Sequence, residues 1–186
     1  MNTCKFITLE RILIILLVII ASGLLIHNRT ATESQLSAIN TQTGDIIKRG
    51  KIMTTSDDYA VFNIDNSTVY LSKNTQVKLV DGRQGNIDLQ LIQGRIVLDG
   101  NANISVREVN ISTQGQVSVV HYSWLDEIEV APIIGLATVQ YSDQSRLLDL
   151  RAIRMSTLDP YATEFIDFNP SQSSEKDFYD WVGFSK

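Results

Sequence analysis

Between residues 44 and 155, apolar residues recur at every second position in short runs, and this alternation limits the fold more than any other feature of the chain. A period of two belongs to an extended strand with one buried face. Ala60, Phe62 and Ile64 form one such set, Val69 and Leu71 a second, and Thr75, Val77 and Leu79 a third. Ile87, Leu89 and Leu91 give the cleanest alternation, followed by Ile96 and Leu98. Ile104 and Val106 share one parity and Val109 and Ile111 the other, so a bulge near Arg107-Glu108 is expected to restore the inward direction. Val117, Val119, Ile128, Val130, Leu136 and Thr138 continue the inward series. Asp65-Asn66-Ser67 and Ser72-Lys73-Asn74 read as turns, and Asp81-Gly82 with Gly85-Asn86 as a longer loop. Gly94 reads as a break, and Asp99-Gly100-Asn101 as a hairpin. The apolar fraction of 44% can fill a core. The expected class is all-β: an antiparallel β-sandwich, jelly roll or double-stranded β-helix-like domain with no strict repeat.

A second population of apolar residues lies elsewhere. Residues 12–26 read ILIILLVIIASGLLI without a charge, between Glu10 and Arg11 on one side and His27 and Arg29 on the other. A spanning helix needs about 20 residues, and residues 6–9 can extend the run. Lys5 and Arg11 favour an inside N-terminus. The expected layout is a cytoplasmic stub over 1–11, a transmembrane helix over 12–27 and a polar linker over 28–43. A β domain over 44–155 follows, then a tail over 156–186. The chain would be a single-pass protein of the cell membrane with its C-terminal domain extracytoplasmic. A retained anchor is expected over a cleaved signal peptide, because Leu24, Leu25 and Ile26 continue the run past Ala21-Ser22-Gly23. A third reading, a type IV pilin-like leader, rests on Phe6 with Glu10 at the fifth position, but Lys5 replaces the expected Gly.

In the tail, Asp159-Pro160 reads as a helix start. Residues 174–177 have capping-box spacing ahead of Phe178, Trp181 and Val182, one apolar helical face. That short helix is expected to pack back on the domain, with partner docking as the alternative.

Few residues suggest chemistry. One cysteine excludes an internal disulfide and a multi-Cys zinc site. His121 is expected on a solvated strand face, and no G-x-S-x-G accompanies it. Asp126, Glu127 and Glu129 read as a solvated turn before a calcium site. Tyr122 and Trp124 are the candidate binding residues, an aromatic patch for a glycan or peptide. No catalytic residue, metal ligand or cofactor is expected. The net charge of -5 disfavours a nucleic-acid partner.

The β region resembles the FecR domain, the extracytoplasmic module of a family of single-pass envelope proteins. Residues 44–55 are similar to the family's opening strand. Residues 59–71, YAVFNIDNSTVYL, resemble its block ending D-G-S-x-V-x-L, with Asn66 where Gly is usual. Residues 89–96, LQLIQGRI, resemble V-x-L-x-x-G. Residues 111–115 and 130–139, carrying Gly115 and Gly135, resemble the later glycine elements. The resemblance implies a non-catalytic binding, sensing or envelope-scaffold module, with an envelope protein or polymer as partner. Only 11 residues precede the apolar run, so the anti-sigma segment of the family's regulators is not expected. The rival expectation is an envelope lipid-transport component with an open β jelly roll, which requires an apolar groove between the sheets.

Overall fold

In the computed structural model the described residues are 37–40, 46–64, 66–83 and 86–184. The stub, the proposed transmembrane helix and most of the linker lie outside them. Among the described residues no helix is long and apolar enough to cross a membrane.

These residues form a mostly antiparallel β-sheet domain with a short C-terminal helix. The strands are β1 (Ser37–Asn40), β2 (Ile46–Lys48), β3 (Ile52–Thr54), β4 (Ala60–Ile64), β5 (Ser67–Leu71) and β6 (Gln76–Arg83). Three long strands follow: β7 (Asn86–Val106), β8 (Val109–Tyr122) and β9 (Glu127–Tyr141). The last are β10 (Gln144–Asp149), β11 (Ala152–Ser156) and β12 (Thr163–Ile166), ahead of helix α1 (Lys176–Val182). One hydrogen-bonded path runs β12-β11-β9-β8-β7-β5-β4-β1-β2, with β10 on β9, and with β3 and β6 joined to it through β7. The sheet therefore begins at β1, within the segment read as a spacer.

The long strands belong to both halves of the domain. Residues 96–99 of β7 pair with β5, whereas its earlier part pairs with β6. β9 pairs with β11 through its first residues and with β10 through its last. The strands bend where Gly100 faces Gly115 and Gly115 faces Gly135. A Cβ on Gly115 would lie 2.4 Å from the Ile134 carbonyl oxygen, and one on Gly135 would lie 2.1 Å from that of Gln114. Both glycines have positive φ, 97° and 107°. Only glycine lets the backbones approach this closely in that conformation.

The predicted inward residues of β4 to β7 are buried as expected, and with buried residues of β8, β9 and β11 they form one core. Several local expectations fail for identifiable reasons: β7 runs through Gly94, and Asp81-Gly82 and Asn86 lie within the paired strands β6 and β7 and not in a longer loop. Arg107-Glu108 is not a bulge but a two-residue turn closing the Val106–Val109 pair, with Arg107 at φ 52°. Two register shifts lie instead between the partners of Gln76 and Val77, leaving Ile92 over, and of Gln116 and Val117, leaving Ile133 over; a further one between Leu79 and Asp81 leaves Val80 over. The second shift turns Ala137 and Val139 inward in place of Leu136 and Thr138. Asp99-Gly100-Asn101 is no hairpin, since β7 runs through it and bends. Asp159-Pro160 starts no helix, because it lies in the turn between β11 and β12.

Helix α1 packs back on the sheet. Its seven residues are too few to be stable alone, so its packing holds it. Phe178 and Tyr179 are fully buried, against Val97 of β7. Trp181 packs on Tyr59 and Tyr70 at ring separations of 5.0 and 5.9 Å. The expected capping box does not form, as Glu175 occupies the cap position and its side chain accepts from Ser72 Oγ without capping the helix. Gly183, at φ 102°, closes the C-terminus.

Gly115→Ala should destabilise the domain by about 2–3 kcal/mol, as strained backbone and a backbone clash coincide. Gly50→Ala has a similar φ but open space, so its loss should be about 1 kcal/mol. Urea unfolding followed by circular dichroism reads both.

Candidate ligand cleft

The outer face of the sheet carries an unusual row. Arg95 pairs across β7–β8 with Val120, and Val120 pairs across β8–β9 with Glu129. Glu129 then faces Arg154 on β11, which faces Glu164 on β12. Residues directly opposite on antiparallel strands bring their side chains together on one face, so charge alternates along the row. Arg154 Nη2 donates to Glu129 Oε2 and Arg154 Nη1 to Glu164 Oε1, both at 3.4 Å. Glu127 lies 3.9 Å from Arg154 Nε. Asp126 instead pairs with Arg107 at 2.7 Å. The acidic cluster read from the sequence is thus divided between two arginines.

Arg95 is only 5% exposed, and no carboxylate lies within ion-pair distance among the described residues. Its guanidinium donates to two phenol oxygens, Tyr179 from α1 and Tyr122 from β8, the latter at 2.8 Å. It also lies 5.2 Å from the centre of the Tyr179 ring. Burial works against its charge, but Tyr179, Tyr122 and Glu175 outweigh burial and hold its pKa above the usual value. Tyr179 Oη bonds also to Ser118 Oγ at 2.8 Å. Burial pushes the Tyr179 and Tyr122 hydroxyls up, with Arg95 opposing in each case. Both phenols therefore remain neutral, and the Tyr122 oxygen accepts from Arg95 while keeping its own proton to donate.

A cavity of about 320 Å³ opens beside this row. Arg95, Tyr122, Glu129, Arg154 and Ile166 line it from the sheet, and residues 167–169 and 172–174 complete its wall. That wall is folded locally. Asn169 Oδ1 accepts from the Ser171 amide at 3.0 Å, and Pro170 starts a one-turn 3-10 helix. Phe168 packs edge-on against Tyr179 at 5.5 Å. Most of the lining is polar, and its four charged residues, Arg95, Arg154, Glu129 and Asp167, balance.

The structure brings the two aromatic candidates together. Their rings are 5.5 Å apart at 68°, with Tyr122 in the cavity wall and Trp124 72% exposed in the following turn. His121 is not on a solvated face. It points inward, 3% exposed, with Nδ1 2.6 Å from the Ile92 carbonyl oxygen. That carbonyl belongs to the residue left over at the β7 shift, so the imidazole supplies a donor the ladder lacks. Nε2 has no partner among the described residues.

Arg95, Arg154 and Tyr179 escaped the reading of the sequence, and Glu129 was read there only as part of a solvated acidic turn. One signal was available: Ile96-Val97-Leu98 is apolar at both parities, which requires cover on both faces of β7.

No protein-family model matches the chain, and no curated protein matches it in sequence. Among solved structures, it is similar to two crystal structures described as a putative anti-sigma factor from Parabacteroides distasonis ATCC 8503. The TM-score is 0.57 at 10% identity, and the match covers 66% of this chain and 62% of that one. The similarity is one of fold.

Tyr179→Phe removes the oxygen shared by Arg95 and Ser118 and should cost about 1–3 kcal/mol, read as a lower urea midpoint at unchanged slope. Acid should also weaken the fold through His121. Burial pushes its pKa below the usual 6.5; the Ile92 carbonyl opposes this, Arg107 adds to it and Asp126 opposes it. The unfolded chain then binds a proton that the folded one refuses. Stability is complete above 6.5 and falls as pH drops from there toward the folded pKa. His121→Leu should flatten that dependence in urea unfolding free energies measured between about pH 7.5 and 5.5.

Proposed function

We propose that the chain is a membrane-anchored, extracytoplasmic FecR-like module that binds a partner or ligand and performs no catalysis. One observation carries the reading. Three glycines of the resembling blocks, Gly94, Gly115 and Gly135, each have positive φ and a Cβ position under 3 Å from another atom. At these three positions the motif blocks and the geometry ask for glycine alike. The fold likeness to the anti-sigma factor supports the same assignment. The bent sheet reads as a jelly-roll or double-stranded β-helix variant. The apolar run at 12–26 supports the anchor, and the basic Lys5 and Arg11 support an inside N-terminus.

The outer-face cleft favours binding over catalysis, since its row holds arginines, carboxylates and neutral phenols with no nucleophile–base pair. The core side chains pack on one another at near-zero exposure, which favours a binding module over a carrier of acyl chains.

Cysteine labelling in intact cells tests the topology. Ser145→Cys places an exposed thiol in the β9–β10 region, and Cys4 is the natural thiol before the apolar run. A membrane-impermeant maleimide applied outside the cytoplasmic membrane should label the introduced thiol and spare Cys4 until the membrane is opened. The protein should also stay in the membrane pellet after carbonate extraction. Labelling of Cys4 alone, or release by carbonate, would overturn the assignment.

A further inference from the structure

We infer that the cleft beside the Arg95–Glu129–Arg154 row binds a neutral saccharide, with Trp124 as a stacking platform at its rim. The inference rests on the binding reading above and names the ligand class.

Four features of the cleft point to this class. Its lining alternates donors and acceptors: the Tyr122 hydroxyl proton, the Arg154 guanidinium, the Glu129 carboxylate, and the side chains of Gln172 and Ser174. Among the described residues, Gln172 and Ser174 make no side-chain hydrogen bond to the protein, so both are available to a ligand. Sugar hydroxyls donate and accept at once, and adjacent hydroxyls suit planar groups such as guanidinium, carboxylate and amide. The charges balance, so a polyanion such as a nucleotide or phosphate chain gains little and meets Glu129 and Asp167. The volume of about 320 Å³ is at the lower end of small-ligand sites, about 300–1,000 Å³, and suits a ligand of one or two rings. The exposed Trp124 does not line the cavity but packs edge-on against Tyr122, which does, and it offers a flat apolar surface suited to the apolar face of a sugar ring.

A peptide fits less well. Extended peptides gain affinity by adding main-chain bonds at a free strand edge. The floor of this cleft is the face of β7, β8, β9 and β11, whose ladder bonds are already made. The site is also preorganised. The strands and the Asn169 cap fix its walls, and Arg95 fixes Tyr122, so binding orders little.

The test uses the full chain in phospholipid nanodiscs, free of sugar detergent, titrated calorimetrically with N-acetylglucosamine trimer and with maltotriose. At least one should bind in the millimolar range or tighter. Trp124→Ala and Glu129→Gln should each weaken that binding about tenfold. Trp124 is exposed, so its variant should keep the parent's circular dichroism and urea midpoint. Three results would overturn the inference: neither trisaccharide binding at about 10 mM, binding insensitive to both substitutions, or a capped alanine pentapeptide binding in their place with the same sensitivity. The cysteine labelling pattern is independent of all three, so the ligand class can fail while the topology stands.

Discussion

The domain depends on a close approach of backbones at Gly100, Gly115 and Gly135, which lie side by side on three neighbouring strands. β7, β8 and β9 cross this line without interruption, so the halves of the domain are held together by continuous chain as well as by their core. At the Gly115–Gly135 contact a methyl group would meet a carbonyl oxygen at little more than 2 Å. Side chains there would force the strands apart at the point where the sheet turns. The core from β4 to β11 can be one cluster because the sheet bends at this row.

The two faces of the sheet follow different physics. The inner face is filled with aliphatic side chains and relies on burial, at about 25 cal/mol per Å² of apolar surface. The outer face is partly covered by α1 and by the segment before it, and there the chain buries a cation. A buried charge is costly unless hydrogen bonds satisfy it. Arg95 answers with two phenol oxygens and an aromatic face in place of a carboxylate. Phenols keep no charge of their own, and across the cleft Glu129 and Asp167 balance Arg95 and Arg154. The same bonds lock α1 to β7 and β8 and set the orientation of Tyr122.

Much of the sheet could be read from alternation. Phe62, Val69, Val77, Leu89, Ile104 and Ile111 are buried where their parity placed them. Alternation fails at shifts, because one extra residue reverses every later side chain. Nothing in Ile133 itself marks it as the extra residue, so Leu136 and Ala137 exchanged faces. Gly100 was misread because Asp-Gly-Asn is a turn signal locally, whereas here long-range pairing with Gly115 governs it. The cleft was half legible. Tyr122 and Trp124 stood out as aromatic residues near a turn. Glu129 and Arg154 became neighbours only through a pairing across 25 residues, and Tyr179 reached Arg95 across 84. His121 looked solvated because its partner is a carbonyl left over by a shift that sequence patterning does not reveal.

The length of the Arg95–Tyr179 connection has a kinetic consequence. The strands of β7 and β8 can pair as soon as both are available, but the guanidinium they bury has no hydrogen-bonding phenol from α1 until residue 179 arrives. Contacts separated this far in sequence form late, after the local hairpins. During that interval Val97, Ser118 and Arg95 face solvent on an assembled sheet. Until α1 docks, the outer face of β7 lacks its cover and Arg95 one of its two phenol oxygens, so the last helix completes a surface that the strands alone leave open.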